Sequence, residues 1–136
     1  MSVRIDCRYE GDLHCSAVHA PSGRTLSTDA PADNQGKAET FSPTDLVATA
    51  LGSCVLTIMG IYARPRNISI EGARAVVVKH MTRTPPRRIA RLEVRVSLPA
   101  ALAEQARRGL EQSVRACPVE ASLHRDVEIE LAFEYV

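Results

Sequence analysis

The chain has no tryptophan and few aromatics of any kind, two Phe and three Tyr among 136 residues. That leaves no platform on which bases of a single-stranded nucleic acid could stack. Charge of one sign is also lacking: the formal net charge is +1, with no block of like charges. Neither nucleic acid nor an anionic membrane is therefore an expected partner. The N-terminus, Met-Ser-Val-Arg-Ile-Asp-Cys, carries no signal-type apolar run, and a cytoplasmic location is expected. The longest apolar stretch, Leu46 to Ala63, is broken by Thr49, Ser53 and Thr57. It falls short of a membrane span and reads as a buried helix. Cys7, Cys15, Cys54 and Cys117 form no CxxC pair and match no zinc spacing, so neither a metal nor another cofactor is expected. His14 and His19 flank Cys15, but His14 and Cys15 alternate on a strand and point to opposite faces, which leaves too few ligands. His80 and His124 stand alone. No GxSxG elbow exists for a serine hydrolase.

What remains is an ordinary soluble composition, 45% hydrophobic and 24% charged, enough for one domain over residues 1–136. Val3 to Tyr9 alternates as a half-buried strand. Gly11-Asp12 turns the chain, and Leu13, Cys15 and Ala17 alternate again. Pro21-Ser22-Gly23 makes the next turn before a third strand, Arg24 to Thr28. Asp29 to Thr40 reads as a loop, long enough to be functional. Ser42, Pro43 and Asp45 form a helix start with a capping box, and the helix runs to about Ala63, before Pro65. Apolar on nearly every side, it belongs in the middle of a protein. Ile68 to His80 and Arg91 to Leu98 are strands. Ala100 to Val114 is an amphipathic helix, Cys117-Pro118 opens a short further helix to about His124, and Val127 to Val136 is the last strand. The order βββαββααβ predicts an α+β fold with mostly hairpin-connected, antiparallel strands.

Two cysteines could carry chemistry. Cys54 lies mid-helix, with Val47, Ala50, Leu51, Ile58 and Ile61 within about 60° of it on the helix wheel. The ordinary reading of such a thiol is a buried, inert one. Only Gly52 and Ser53, small enough to admit another segment, argue otherwise. Cys117 precedes Pro118 at a helix start, where free N–H groups lower a thiol pKa. Local physics alone makes Cys117 the more activated thiol. Cys7 and Cys15 read as small buried hydrophobes.

The segment Ser42-Pro43-Thr44-Asp45-Leu46-Val47-Ala48-Thr49-Ala50-Leu51-Gly52-Ser53-Cys54 resembles the proline-capped helix that bears the peroxidatic cysteine in the OsmC/Ohr family of hydroperoxide-detoxifying proteins. Cys117-Pro118-Val119-Glu120-Ala121-Ser122-Leu123 is similar to that family's Cys-Pro motif at its second cysteine. The order of elements agrees along essentially the whole chain. The resemblance implies an intertwined homodimer: an N-terminal β-hairpin sheet, a long buried central helix, further antiparallel strands and two helices. It implies that Cys54 attacks an organic hydroperoxide, becomes a sulfenic acid and condenses with Cys117, reversing the order that local physics favours. An external dithiol, protein-bound dihydrolipoamide in Ohr-type members, would then reduce the disulfide. Where the family has a glutamate that positions an activating arginine, this chain has Thr44. Asp45 cannot substitute, lying about 180° around the helix from Cys54. The cation must come from the N-terminal hairpin or loop, and Arg24 and Lys37, the latter with Glu39 nearby, are the candidates. The alternatives are a small-ligand-binding protein on the same scaffold and a disulfide-based redox sensor.

Overall fold

A computed structural model describes residues 1–136 and divides the chain into two compact units, Met1–Leu46 and Val47–Val136. The N-terminal unit is an antiparallel sheet in the order β1 (Ile5–Gly11), β2 (His14–His19), β3 (Thr25–Asp29). The β1–β2 connection is tight: Gly11, Asp12 and Leu13 all have positive φ, 92°, 51° and 58°. Glycine adopts that conformation freely, whereas Leu13 does so at a cost. It is held there by its N–H to the Tyr9 hydroxyl (3.3 Å) and by its carbonyl, which accepts from Ala30 N–H (3.1 Å). At the β2–β3 turn Gly23, φ 69°, donates its N–H to the His19 carbonyl. Ile5, Cys7 and Tyr9 share one face with Cys15, Ala17 and Leu26, by register. That face is open to solvent in the single chain, with Ile5, Tyr9 and Leu26 all exposed. Cys7 is exposed and Cys15 half-buried, so the expectation of two buried thiols fails for Cys7.

The stretch read as a loop after Thr28 starts one residue later, because Asp29 closes β3 opposite His14. It is ordered by its own bonds, a 3-10 turn at Ala32–Asn34 and Asp29 N–H donating to the Phe41 carbonyl. Gly36 lies so close to Ala30 that any Cβ there would overlap the Ala30 carbonyl.

Helix α1 covers Pro43–Ala63. Its start is the reciprocal capping box read from the sequence: Asp45 N–H donates to Ser42 Oγ (3.1 Å) and Ser42 N–H to Asp45 Oδ2 (2.8 Å). A 3-10 turn, Arg64–Arg66, extends the helical run to 24 residues, Pro43 to Arg66. By length and composition alone that run could cross a membrane, so the expectation that it falls short of a span is corrected. A buried core helix meets the same criterion, and one flank of α1 is packed as a core helix is. Ala48, Leu51, Gly52, Val55, Met59 and Ala63 are buried, while Ile61 on another flank is exposed.

The second unit's sheet has the order β4 (Arg74–Met81), β5 (Ile89–Leu98), β6 (Glu128–Tyr135). β4 begins later than expected: Ile68 and Ile70 precede a turn at Glu71-Gly72, where Gly72 takes φ 84°. β5 alternates as read, with Leu92, Val94, Val96 and Leu98 buried. These meet Leu51, Val55 and Met59 of α1 and Leu110 and Val114 in one apolar core. Each such side chain contributes about 1.5–3 kcal/mol by leaving water. At Gly52 helix and sheet approach closely: a Cβ built on it would stand 2.8 Å from Val77 Cγ2.

β6 departs from the antiparallel expectation and pairs parallel to β5, Leu92 beside Ile129 and Leu98 beside Tyr135. Parallel neighbours need a long crossover, usually helical, and residues 99–127 supply one. It contains α2 (Glu104–Ser113), a 3-10 turn (Val114–Ala116) and α3 (Pro118–Ser122). α2 starts four residues later than read, because Ala103 is extended and Leu102 N–H closes a turn on the Pro99 carbonyl. Gly109 seats α2 on α1, since a Cβ there would collide with the Tyr62 hydroxyl. His80 and His124, read as solitary, have partners: His80 Nε2 lies 2.9 Å from Glu93 Oε2, and His124 Nδ1 lies 3.5 Å from Asp126 Oδ2.

Candidate active site

Cys54 sits on α1 two residues after Gly52, half-buried and packed against the apolar core. Because Gly52 has no side chain, the helix lies flush on β4 at this level, which seats Cys54 against the core. Cys117 reaches the same place from the crossover. Pro118 disfavours a helical conformation at the residue before it, and Cys117 is extended (φ −64°, ψ 112°) between the 3-10 turn and α3. Its backbone is fully engaged: the N–H donates to the Val114 carbonyl (2.9 Å) and its carbonyl accepts from Ala121 N–H (3.2 Å). Its side chain is 1% exposed.

The two thiols are reduced and hydrogen-bonded to each other. Burial pushes the Cys117 thiol up, and the bond to Cys54 pushes it further. The N–H groups of Glu120 and Val119 pull the opposite way. They stand too loosely for a cap hydrogen bond to the sulfur, and burial wins. The expectation that the helix start makes Cys117 the more activated thiol is thus overturned. A local rule about helix ends was applied to a sulfur that tertiary packing removes from water.

The other expected residues lie in the N-terminal unit. Lys37 Nζ is 3.8 Å from Asp12 Oδ2, both well exposed, and its charge also reaches Asp29. Glu39 donates its backbone N–H to Asp29 Oδ2 (3.0 Å). Arg24 stands at the β2–β3 turn, its carbonyl accepting from His19 N–H (2.8 Å). Asp29 pairs with His14 at the far end of that ladder, so Arg24 and the Lys37–Glu39 segment occupy opposite ends of the hairpin. They are alternatives, not partners. Thr44, at the family's glutamate position, has its hydroxyl 3.3 Å from Ser42 Oγ at the start of α1.

One constellation escaped the sequence reading. Asp29 is buried, and its Oδ1 lies 2.5 Å from His14 Nδ1 while its Oδ2 accepts from Glu39. His14, then Glu39 and Lys37, hold its carboxyl below the ordinary value despite burial. Counting the ladder back from the Pro21-Gly23 turn would have set His14 opposite Asp29. That signal was available.

An α+β fold that brings together two free thiols, one half-buried on a long helix and one buried at a Cys-Pro corner, defines a class of thiol-bearing proteins. Residues 36–132 match the family model described as OsmC-like protein. The chain belongs to the OsmC-like protein family. A crystal structure from Psychrobacter arcticus 273-4, described as an osmotic stress induced and detoxification response protein, is 41% identical. That match covers 96% of this chain and 94% of the other, with a TM-score of 0.90. The OsmC like protein from Mycoplasma pneumoniae shares the fold at 15% identity and TM-score 0.83, covering 100% and 98% of the two chains. The organic hydroperoxide resistance protein OhrB of Bacillus subtilis does so at 14% identity and TM-score 0.73, covering 98% of each. No curated protein sequence matches the chain.

Proposed function

We propose that this protein is a thiol-dependent hydroperoxide reductase in which Cys54 attacks and Cys117 resolves. The observation that carries the reading is the contact between the buried Cys117 thiol and Cys54. Two sulfurs in that contact need little movement to become a disulfide. The thiolate breaks the O–O bond and becomes a sulfenic acid, releasing an alcohol. Cys117 then displaces water to form the disulfide, and an external dithiol, such as a lipoylated protein, restores both thiols. The apolar surroundings of Cys54 favour an organic hydroperoxide over hydrogen peroxide. In this reading the activating cation is Arg24 or Lys37, the latter with Glu39, since Thr44 stands where the family has its glutamate.

The working form is a cytoplasmic homodimer. Supporting this are the solvent-open apolar sheet face of Ile5, Tyr9 and Leu26 and the exposed Ile61 on α1. Sedimentation at micromolar concentration tests it, and a folded monomer would count against it.

Steady-state turnover with cumene hydroperoxide and dihydrolipoamide tests the activity. Wild type turns over, and mass spectrometry after one equivalent of peroxide shows loss of two protons. Cys54→Ser consumes no peroxide, whereas Cys117→Ser reacts once and over-oxidises at Cys54. Oxygen on Cys117 in Cys54→Ser would invert the roles. Oxidation without turnover points to a redox sensor, and no oxidation of either thiol points to a binding protein on the same scaffold.

A further inference from the structure

Reductive cleavage of a hydroperoxide has a proton problem that two cysteines in their usual roles leave unsolved. When the Cys54 thiolate takes the terminal oxygen, the other oxygen departs as an alkoxide, a strong base released in an apolar site. It needs a proton at the moment of cleavage. Cys117 holds one there. Its side chain is 1% exposed, its backbone is fully engaged, and its thiol is in contact with Cys54. Burial keeps that proton on sulfur until a stronger base appears beside it.

We propose, resting on the peroxide-reducing reading above, that Cys117 is the general acid of the cleavage step as well as the resolving thiol. The Cys54 sulfur forms a bond to the terminal oxygen as the O–O bond breaks, and the sulfur is oxidised by two electrons. The departing alkoxide takes the Cys117 proton and leaves as the alcohol. That transfer makes Cys117 a thiolate when a nucleophile is wanted. Cys117 then attacks the Cys54 sulfur, the S–S bond forms as the S–O bond breaks, and hydroxide leaves to be protonated by solvent. One proton transfer thus completes the first step and arms the second.

The test is single-turnover oxidation of Cys54, with its sulfenic acid trapped by dimedone and quantified by mass spectrometry. Two oxidants are compared: cumene hydroperoxide, whose leaving alkoxide needs a proton, and peracetic acid, whose leaving acetate does not. Cys117→Ser and Cys117→Ala should each oxidise about 100-fold or more slowly than wild type with cumene hydroperoxide. With peracetic acid their rates should stay close to wild type. In wild type, heavy water should slow the cumene hydroperoxide reaction and leave the peracetic acid reaction nearly unchanged. This arm stands even if both variants fail to fold. Equal losses with both oxidants would mean that the substitutions merely displace Cys54, and would overturn the proposal. So would unchanged rates with both, or an identical solvent effect with both. If wild-type Cys54 is not oxidised by cumene hydroperoxide at all, the peroxidase reading itself fails, an outcome visible before any variant is made.

Discussion

Replacing Gly52 with alanine sets two effects of known sign against each other. In an exposed helix the change would stabilise by about 0.5–1 kcal/mol, because glycine loses more conformational freedom on folding. Here the new methyl would stand 2.8 Å from Val77 Cγ2 and 3.9 Å from Ala75 Cβ. Val77 cannot easily yield: it is β-branched, stiff at χ1, and registered opposite Val94 in the ladder. Relief requires an off-rotamer valine or a helix lifted from the sheet, an overpacking cost of about 1–3 kcal/mol. The net expectation is a loss of about 1 kcal/mol and roughly 3–6 °C in melting temperature. Urea denaturation of Gly52→Ala, Val77→Ala and the double variant isolates the contact. The double should be more stable than the sum of the singles predicts by about 1 kcal/mol. Additivity within about 0.5 kcal/mol, or a net gain for Gly52→Ala alone, would refute the close approach.

Ser42→Ala removes one half of the capping box and should cost about 1 kcal/mol in the same denaturation assay. Asp29→Asn should flatten the acid side of the stability curve. Asp29 is depressed in the folded state, so its contribution is complete above the ordinary carboxylate pKa and fades as pH falls through the folded value. Equal acid slopes for wild type and Asp29→Asn, followed by circular dichroism, would show that the His14 pair does not couple to folding. Cys7→Ser, at an exposed position, should leave both stability and peroxide turnover unchanged, and Cys15→Ser should cost a little stability only. Lost turnover in a folded Cys15→Ser would bring that thiol into the site.

The start of α1 was legible because every participant lies within four residues: Ser42, Pro43 and Asp45 make the same contacts wherever the helix goes. β5 was legible for a similar reason, since strict alternation from Leu92 to Leu98 can bury only one face. β6 alternates too, but alternation carries no direction. Its parallel pairing depends on where the crossover delivers it, which residues 128–135 do not encode. The buried flank of α1 was likewise hidden, because a helix apolar all round does not say which side meets the sheet. Gly52 held the clue, as the smallest residue on the flank that meets β4. Within the candidate site, the identities of Cys54 and Cys117 came from two motifs, but their electrostatic order did not. The helix-end rule for Cys117 is local, whereas burial of its sulfur beside Cys54 joins residues 63 positions apart.

The crossover has a consequence for synthesis on the ribosome. Cys54 is translated 63 residues before Cys117, roughly 3–13 s earlier at 5–20 residues per second. The segment that presents Cys117 is closed on the sheet by β6, which follows it in the chain. Throughout that interval a growing chain carries one candidate redox sulfur without the other. The strand that completes the sheet beside β5 is made later still, so the sheet closes only once both sulfurs are already in the chain.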